Sequence, residues 1–371
     1  MKPLKMKHVV VYRKPDEFCA WPFNGGFWQF ADGELAVSFM RASCTYATPE
    51  STNHKTVDQD GCEQVLIRSF DGGSTWSAET LSPVFRRAEL DEQVRATSWI
   101  PGRPEKAFDP RCDGFCLVAG YGIPPESLRD RIYVLVSTNR GQTWEAPVRV
   151  PPCGFASLYG RPSAIVRPDG MLLLFAHGSR QNAPGGDGFT LSEKEAIPLV
   201  FGSRNGGVTW GLVSEITPTP LQPMAIMPYP VLLKDGRILA AVRRQYGAAY
   251  NAYTQIYEST DGARTWRFLS RPNDWGAPAN LVELPDGRIL CVYGYRQPPY
   301  GVRATVSADG GRTWGTEIVL RDDGGSWDLG YPRTLLRPDG QLVTVYYFND
   351  KRDAVQQDGG VRHIAATVWS V

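Results

Sequence analysis

The 371 residues are 42% hydrophobic and 21% charged, with a formal net charge of +1, enough apolar content for a large core. No basic run or stripe is present, which argues against a nucleic-acid partner, and no stretch reaches the roughly 18–20 apolar residues that span a membrane. The seven Cys form no C-x-x-C pair and the four His lie far apart, so no metal, cofactor or disulfide framework is expected, and reduced thiols fit a cytoplasmic protein.

The N-terminal MKPLKMKHVVVYRK carries only a short apolar run, too short for a signal segment, and reads as a strand. Two hairpin signals then alternate along the chain. Asp-Gly occurs at 32–33, 113–114, 169–170, 235–236, 286–287 and 339–340, each between strand-like runs such as PVLLKDGRILAAV. Between them come SFDGGSTW (69–76), STNRGQTW (137–144), SRNGGVTW (203–210), STDGARTW (259–266) and SADGGRTW (307–314). A phrase repeated along one chain is an architectural unit before it is a site. Asp or Asn, Gly and Ser supply turn chemistry, and the preceding runs supply strands.

Two hairpins make a four-stranded sheet. The expected fold is therefore all-β: a six-bladed β-propeller with four-stranded antiparallel blades, in one domain over residues 1–371. The last blade lacks the Trp phrase. Its outer strands are expected from residues 361–370 and, closing the ring, from the N-terminal strand 7–13. No substantial helix is evident.

These five phrases and their spacing resemble the Asp boxes of the sialidase (neuraminidase) superfamily, over essentially the whole chain. The resemblance implies a glycoside hydrolase with an arginine cluster for the substrate carboxylate, a Tyr nucleophile activated by Glu, and an Asp acid/base on a first-blade loop. Guanidinium matches carboxylate geometry, and a neutral Tyr nucleophile avoids repulsion with an anionic sugar. By position, Tyr331 in DLGYPRTLL matches the nucleophile, although a Tyr packed at the propeller axis fits the same place. Asp58 in HKTVDQDG matches the acid/base, with Asp60 as competitor.

Arg41, Arg243, Arg244 and Arg296 lie eight to ten residues beyond the Asp of their Asp-Gly pairs, at matched strand ends. This register predicts convergence on one rim, joined by Arg303 and by Arg333, which shares a strand face with Tyr331. Solvated surface arginines are the plain alternative. The family's Phe-Arg-Ile-Pro phrase is replaced by AWPFNGGFWQF, and its nearest analogue is YGRPSAIV with Arg161. Where the activating Glu is expected, QPMAIMPYP has no carboxylate. His54 and His177 are candidate general bases. The expected partner is an acidic glycan, with the oligomeric state open. Uronate elimination using Tyr or His is the enzymatic alternative. A glycan-binding propeller with Trp21, Phe23 and Tyr300 stacking on sugars is the non-enzymatic one.

Overall fold

The computed structural model describes residues 5–48, 61–86, 107–121, 132–181, 195–221, 223–354 and 359–371. The fold class is a six-bladed β-propeller: six antiparallel sheets, four of them four-stranded, one of three strands and one of five. Three belong to a compact unit of Met1–Ala88 with Trp275–Val371, and three to a second unit, Glu89–Asp274. Among the described residues the only helix is the single turn Pro22–Gly25.

In the first unit, Met6–Tyr12 pairs antiparallel with His363–Trp369, Met6 opposite Trp369. The N- and C-terminal strands therefore share a sheet with Gly330–Leu336 and Leu342–Phe348, as expected. Leu342–Phe348 (LVTVYYF) is buried at every position. Its apolar run is continuous because both faces are covered. In the second unit, Leu172–Ser179 shows how alternation is used: Leu172, Leu174 and Ala176 enter one core cluster, Leu173 and Phe175 another. Successive side chains point to opposite faces, so one strand serves two cores.

The Asp-Gly turns fall between paired strands in five of the six hairpins, as with Leu336 opposite Leu342 across Asp339-Gly340. The exception is Asp113-Gly114. Residues 107–111 before it form turn and coil, not the expected strand, and the Phe108 amide donates to Asn205 O.

The Trp phrases are closed hydrogen-bonded turns. In the first, Ser69 Oγ donates to Asp71 Oδ1 (2.9 Å) and accepts from the Gly73 amide (2.9 Å), while Thr75 donates its amide to Oδ1 and its hydroxyl to Oδ2 (2.7 Å). Asn serves equally well: Asn139 donates to Thr143 Oγ1 (2.8 Å) because a hydroxyl can accept as well as donate. With its polar groups consumed internally, the phrase is scaffold.

The innermost strands carry a third repeat that the sequence does not announce. Two of them hold a left-handed residue directly before a proline, Met227 (φ 52°) and Tyr331 (φ 51°), and Trp21 (φ 57°), between Glu17–Ala20 and the Pro22–Gly25 turn, does the same. Strand register slips at two of these, between Ile226 and Tyr229 and between Gly330 and Arg333, and also around Gly160-Arg161-Pro162. A bulky residue at positive φ is strained, and the residue before Pro disfavours helical geometry. The bulges re-aim side chains at the inner edge of these three sheets.

Candidate functional site

In the first unit the site is built by a close approach. A Cβ on Gly330 would lie 2.7 Å from Gly294 Cα, so these strands touch at two glycines. Arg296 follows Gly294 by two positions and Tyr331 follows Gly330 directly. The Arg296 guanidinium accordingly lies 5.1 Å from the Tyr331 ring centroid and 5.6 Å from that of Trp327. Phe23, from the Pro22–Gly25 turn, meets Tyr331 edge-on at 5.9 Å, and Arg333 lies 5.7 Å from Phe23.

Arg296 is 2% exposed. Its Nη2 donates to Leu329 O (3.1 Å) and Tyr347 Oη (3.4 Å), whereas buried Nε and Nη1 make no hydrogen bond among the described residues. Burial opposes its charge, but Tyr347, Tyr331 and Asp328 outweigh burial and raise its pKa. It is a buried, permanently charged guanidinium with donors to spare, which costs about 1–3 kcal/mol for each unsatisfied group.

Behind it sits a network that the sequence reading missed. Tyr347 donates to Asp328 Oδ1 at 2.6 Å, and Arg362 Nε reaches Asp328 Oδ2 at 3.3 Å. Asn349 donates to the Asp328 carbonyl and accepts from the Ser326 amide. Burial first, then Asp328, push the Tyr347 phenol well above its ordinary value, so it stays protonated and a donor. The available signal was Asp328, three residues before Tyr331, and the second Tyr of VYYF, whose position lies opposite Gly330. Only the pairing register joins them.

Three other predicted arginines are engaged by their own sheets. Arg41 stands opposite Glu63 and donates to it at 3.0 and 3.2 Å, and to Tyr12 Oη at 3.1 Å. Arg303 stacks on Tyr295 at 3.4 Å and pairs with Glu317. In the second unit, Arg244 donates twice to Pro223 O (3.1 and 2.8 Å) and to Gln255. Its neighbour Arg243 points to the opposite strand face and meets Met227 Sδ at 3.7 Å.

His177 is wholly buried in the second unit and accepts the Met227 amide at Nδ1 (3.3 Å). Burial, then the positive charges of Arg161 and Arg243, press its pKa to about 3. It is therefore a weak base near neutrality, which undercuts the role expected of it in elimination. Trp21 and Phe23, expected as sugar-stacking faces, are buried at 1% and 0%. His54 and Asp58 lie outside the described residues.

A buried guanidinium just past the second strand of one sheet, over a phenol on the bulged inner strand of another, defines a β-propeller with a polar site at its strand ends. The family described as BNR repeat-like domain matches residues 116–344, more than half of the chain, and the chain belongs to that family. No curated protein matches it. Among solved structures, it is similar to a protein of unknown function from Dyadobacter fermentans (22% identity, TM-score 0.74, all of both chains). It is also similar to the Hadza microbial sialidase Hz136 (16%, TM-score 0.61, 97% of this chain and 68% of that one). An α-L-arabinanase from Penicillium chrysogenum, solved with arabinobiose, matches at 16% and TM-score 0.58, over 97% of each chain. At these identities the likeness is one of fold.

Proposed function

We propose that the protein is a sialidase-like glycoside hydrolase that acts on an acidic sugar at the end of a glycan, with Arg296 receiving the carboxylate and Tyr331 as the nucleophile. The observation that carries this reading is the pair of buried, unaccepted nitrogens on Arg296 beside Tyr331. Sialidases and arabinanases both occur among the similar folds, and a neutral arabinose gives a spare guanidinium nothing to neutralise. An anionic sugar does. In this reading the Tyr331 phenol gives its proton to water as its oxygen attacks the anomeric carbon, and the departing oxygen takes a proton from Asp58. Water then cleaves the tyrosyl intermediate, activated by the same Asp58 carboxylate. The Arg296 guanidinium stabilises the negative charge that develops on the Tyr331 oxygen in the transition state. Tyr347 holds Arg296 from below while remaining bound to Asp328.

The test is a screen of purified protein on aryl sialosides and aryl uronides, with ultraviolet detection of unsaturated uronides from acidic polysaccharides. Release of the aryl group supports the hydrolase. New absorbance favours elimination, and the absence of both favours a glycan-binding protein.

A further inference from the structure

The proposed hydrolysis gives no chemical task to Asp328, a wholly buried carboxylate three residues before Tyr331. Its main chain is pinned: the carbonyl accepts Asn349 Nδ2 at 2.7 Å, and the amide donates to Ser326 Oγ at 3.3 Å. Its side chain faces two protein donors, Tyr347 Oη at 2.6 Å on Oδ1 and Arg362 Nε at 3.3 Å on Oδ2. Arg362 is itself held by the carbonyls of Gly359 and Gly360. Of the two donors, Tyr347 is the one that reaches Arg296, at 3.4 Å.

The chain from Asp328 through Tyr347 to Arg296 has a direction. A phenol hydroxyl carries one proton and free lone pairs, whereas a guanidinium can only donate. A carboxylate can only accept, so the Tyr347 proton belongs to Asp328 and a lone pair is left for Arg296 Nη2. The same Nη2 donates to Leu329 O at 3.1 Å, so this one nitrogen carries both printed bonds of the guanidinium, and Nε and Nη1 make none among the described residues. Were the Tyr347 hydroxyl to turn round, its proton would face the protons of Nη2 and one of the two ties on Arg296 would be lost. The orientation of a single buried hydroxyl thus decides which edge of the guanidinium is anchored.

We propose that Asp328 is a positioning residue: by holding the Tyr347 proton it keeps the Tyr347 oxygen an acceptor, which anchors Arg296 through Nη2 and leaves its Nε and Nη1 edge for the ligand. The kinetic consequence rests on the hydrolase reading, whereas the orientation of the hydroxyl does not.

Neutron diffraction from deuterium-exchanged crystals of the wild-type protein tests the orientation without any ligand. The expected result is a deuteron on Tyr347 Oη directed at Asp328, with an Nη2 deuteron of Arg296 directed at Tyr347. A Tyr347 deuteron directed at Arg296 would overturn the proposal. Asp328→Asn tests the consequence. Its amide oxygen must serve Arg362, which cannot accept, so its amide nitrogen faces Tyr347 and turns the hydroxyl proton toward Arg296. On an activated aryl glycoside of an acidic sugar, KM should rise at least about tenfold, on the scale of one charge-assisted hydrogen bond, with kcat changed less. Tyr347→Phe should raise KM as well, and adding it to Asp328→Asn should bring no further rise, because Asp328 acts through that hydroxyl. Independent, multiplying effects of the two substitutions, or an Asp328→Asn protein that loses stability with KM unchanged, would make Asp328 a purely structural partner of Arg362 and overturn the proposal. Absence of turnover in the wild type counts against the hydrolase reading alone, since the deuteron positions still decide the role of Asp328.

Discussion

The Arg296 guanidinium lies 5.1 Å from the centre of the Tyr331 ring because Gly294 and Gly330, two and one residues away along the chain, touch without side chains. A Cβ at Gly294 would stand 3.0 Å from Gly330 Cα and 3.3 Å from Leu329 O, and the latter is the carbonyl that Arg296 Nη2 binds. Gly294→Ala should push the strands apart by a few tenths of an ångström. The expected result is a fold that survives, with unfolding free energy lower by about 1–3 kcal/mol, and activity reduced at least about tenfold. Denaturant titration alongside kcat/KM checks both.

Arg296 distinguishes structure from function by its own substitutions. Arg296→Lys keeps the charge and loses the planar fork, so turnover should fall by about tenfold or more. Arg296→Met should abolish it yet change stability by only about 1 kcal/mol, because much of the donor capacity it removes was already unsatisfied. A loss of about 3–5 kcal/mol, typical of a broken buried ion pair, would mark Arg296 as a structural cation. Thermal and denaturant unfolding of the two variants decide it.

The sheet plan was legible in the sequence because turn chemistry is local: Asp-Gly and the Ser-x-Asp phrase each specify a turn without help from distant residues. Arg296 and Tyr331 were also legible, as a strand-end position and a strand start. What could not be read were partners set by register. Arg41 lies opposite Glu63 and is neutralised by it, although only the pairing of their strands shows this. Asp328 and Tyr347 meet for the same reason. The strained residues before Pro22, Pro228 and Pro332 contradict the local preference of such positions, and only tertiary packing enforces them.

The Trp phrases should make the fold acid-sensitive. Slight burial pushes Asp261 upward, but donation from Thr265 and Ser259 prevails and lowers it from 3.8 to about 2. Asp71 and Asp309 shift in the same direction. A carboxylate depressed in the folded state contributes stability that is complete above about pH 4 and is lost as pH falls through its folded value. Asp261→Asn should remove its share of this dependence while keeping the turn, as Asn139 and Asn205 already do. Acid titrations of the two proteins, read by circular dichroism, should converge toward pH 2 and separate above pH 4.

The glycine of the phrase is replaced by Ala263, which holds φ 74°. At the equivalent Gly73 (φ 87°) a Cβ would also meet Val343 Cγ1 at 2.9 Å. Gly73→Ala should therefore cost about 1–3 kcal/mol. Ser307→Ala should cost a similar amount by leaving the buried Gly311 amide without its acceptor. Denaturant midpoints at constant m-value measure both.

The central claim is that Tyr331 forms the bond to the sugar while Arg296 holds the charge beside it. The most direct measurement is hydrolysis of an activated aryl glycoside of an acidic sugar by wild type and Tyr331→Phe, with ligand binding measured on both. The substitution removes only a hydroxyl and keeps the ring packed on Phe23 and Tyr347. The expected result is loss of turnover by at least about a thousandfold, consistent with removal of a covalent nucleophile, with affinity nearly unchanged. Retention of most of the wild-type turnover by Tyr331→Phe would contradict the claim.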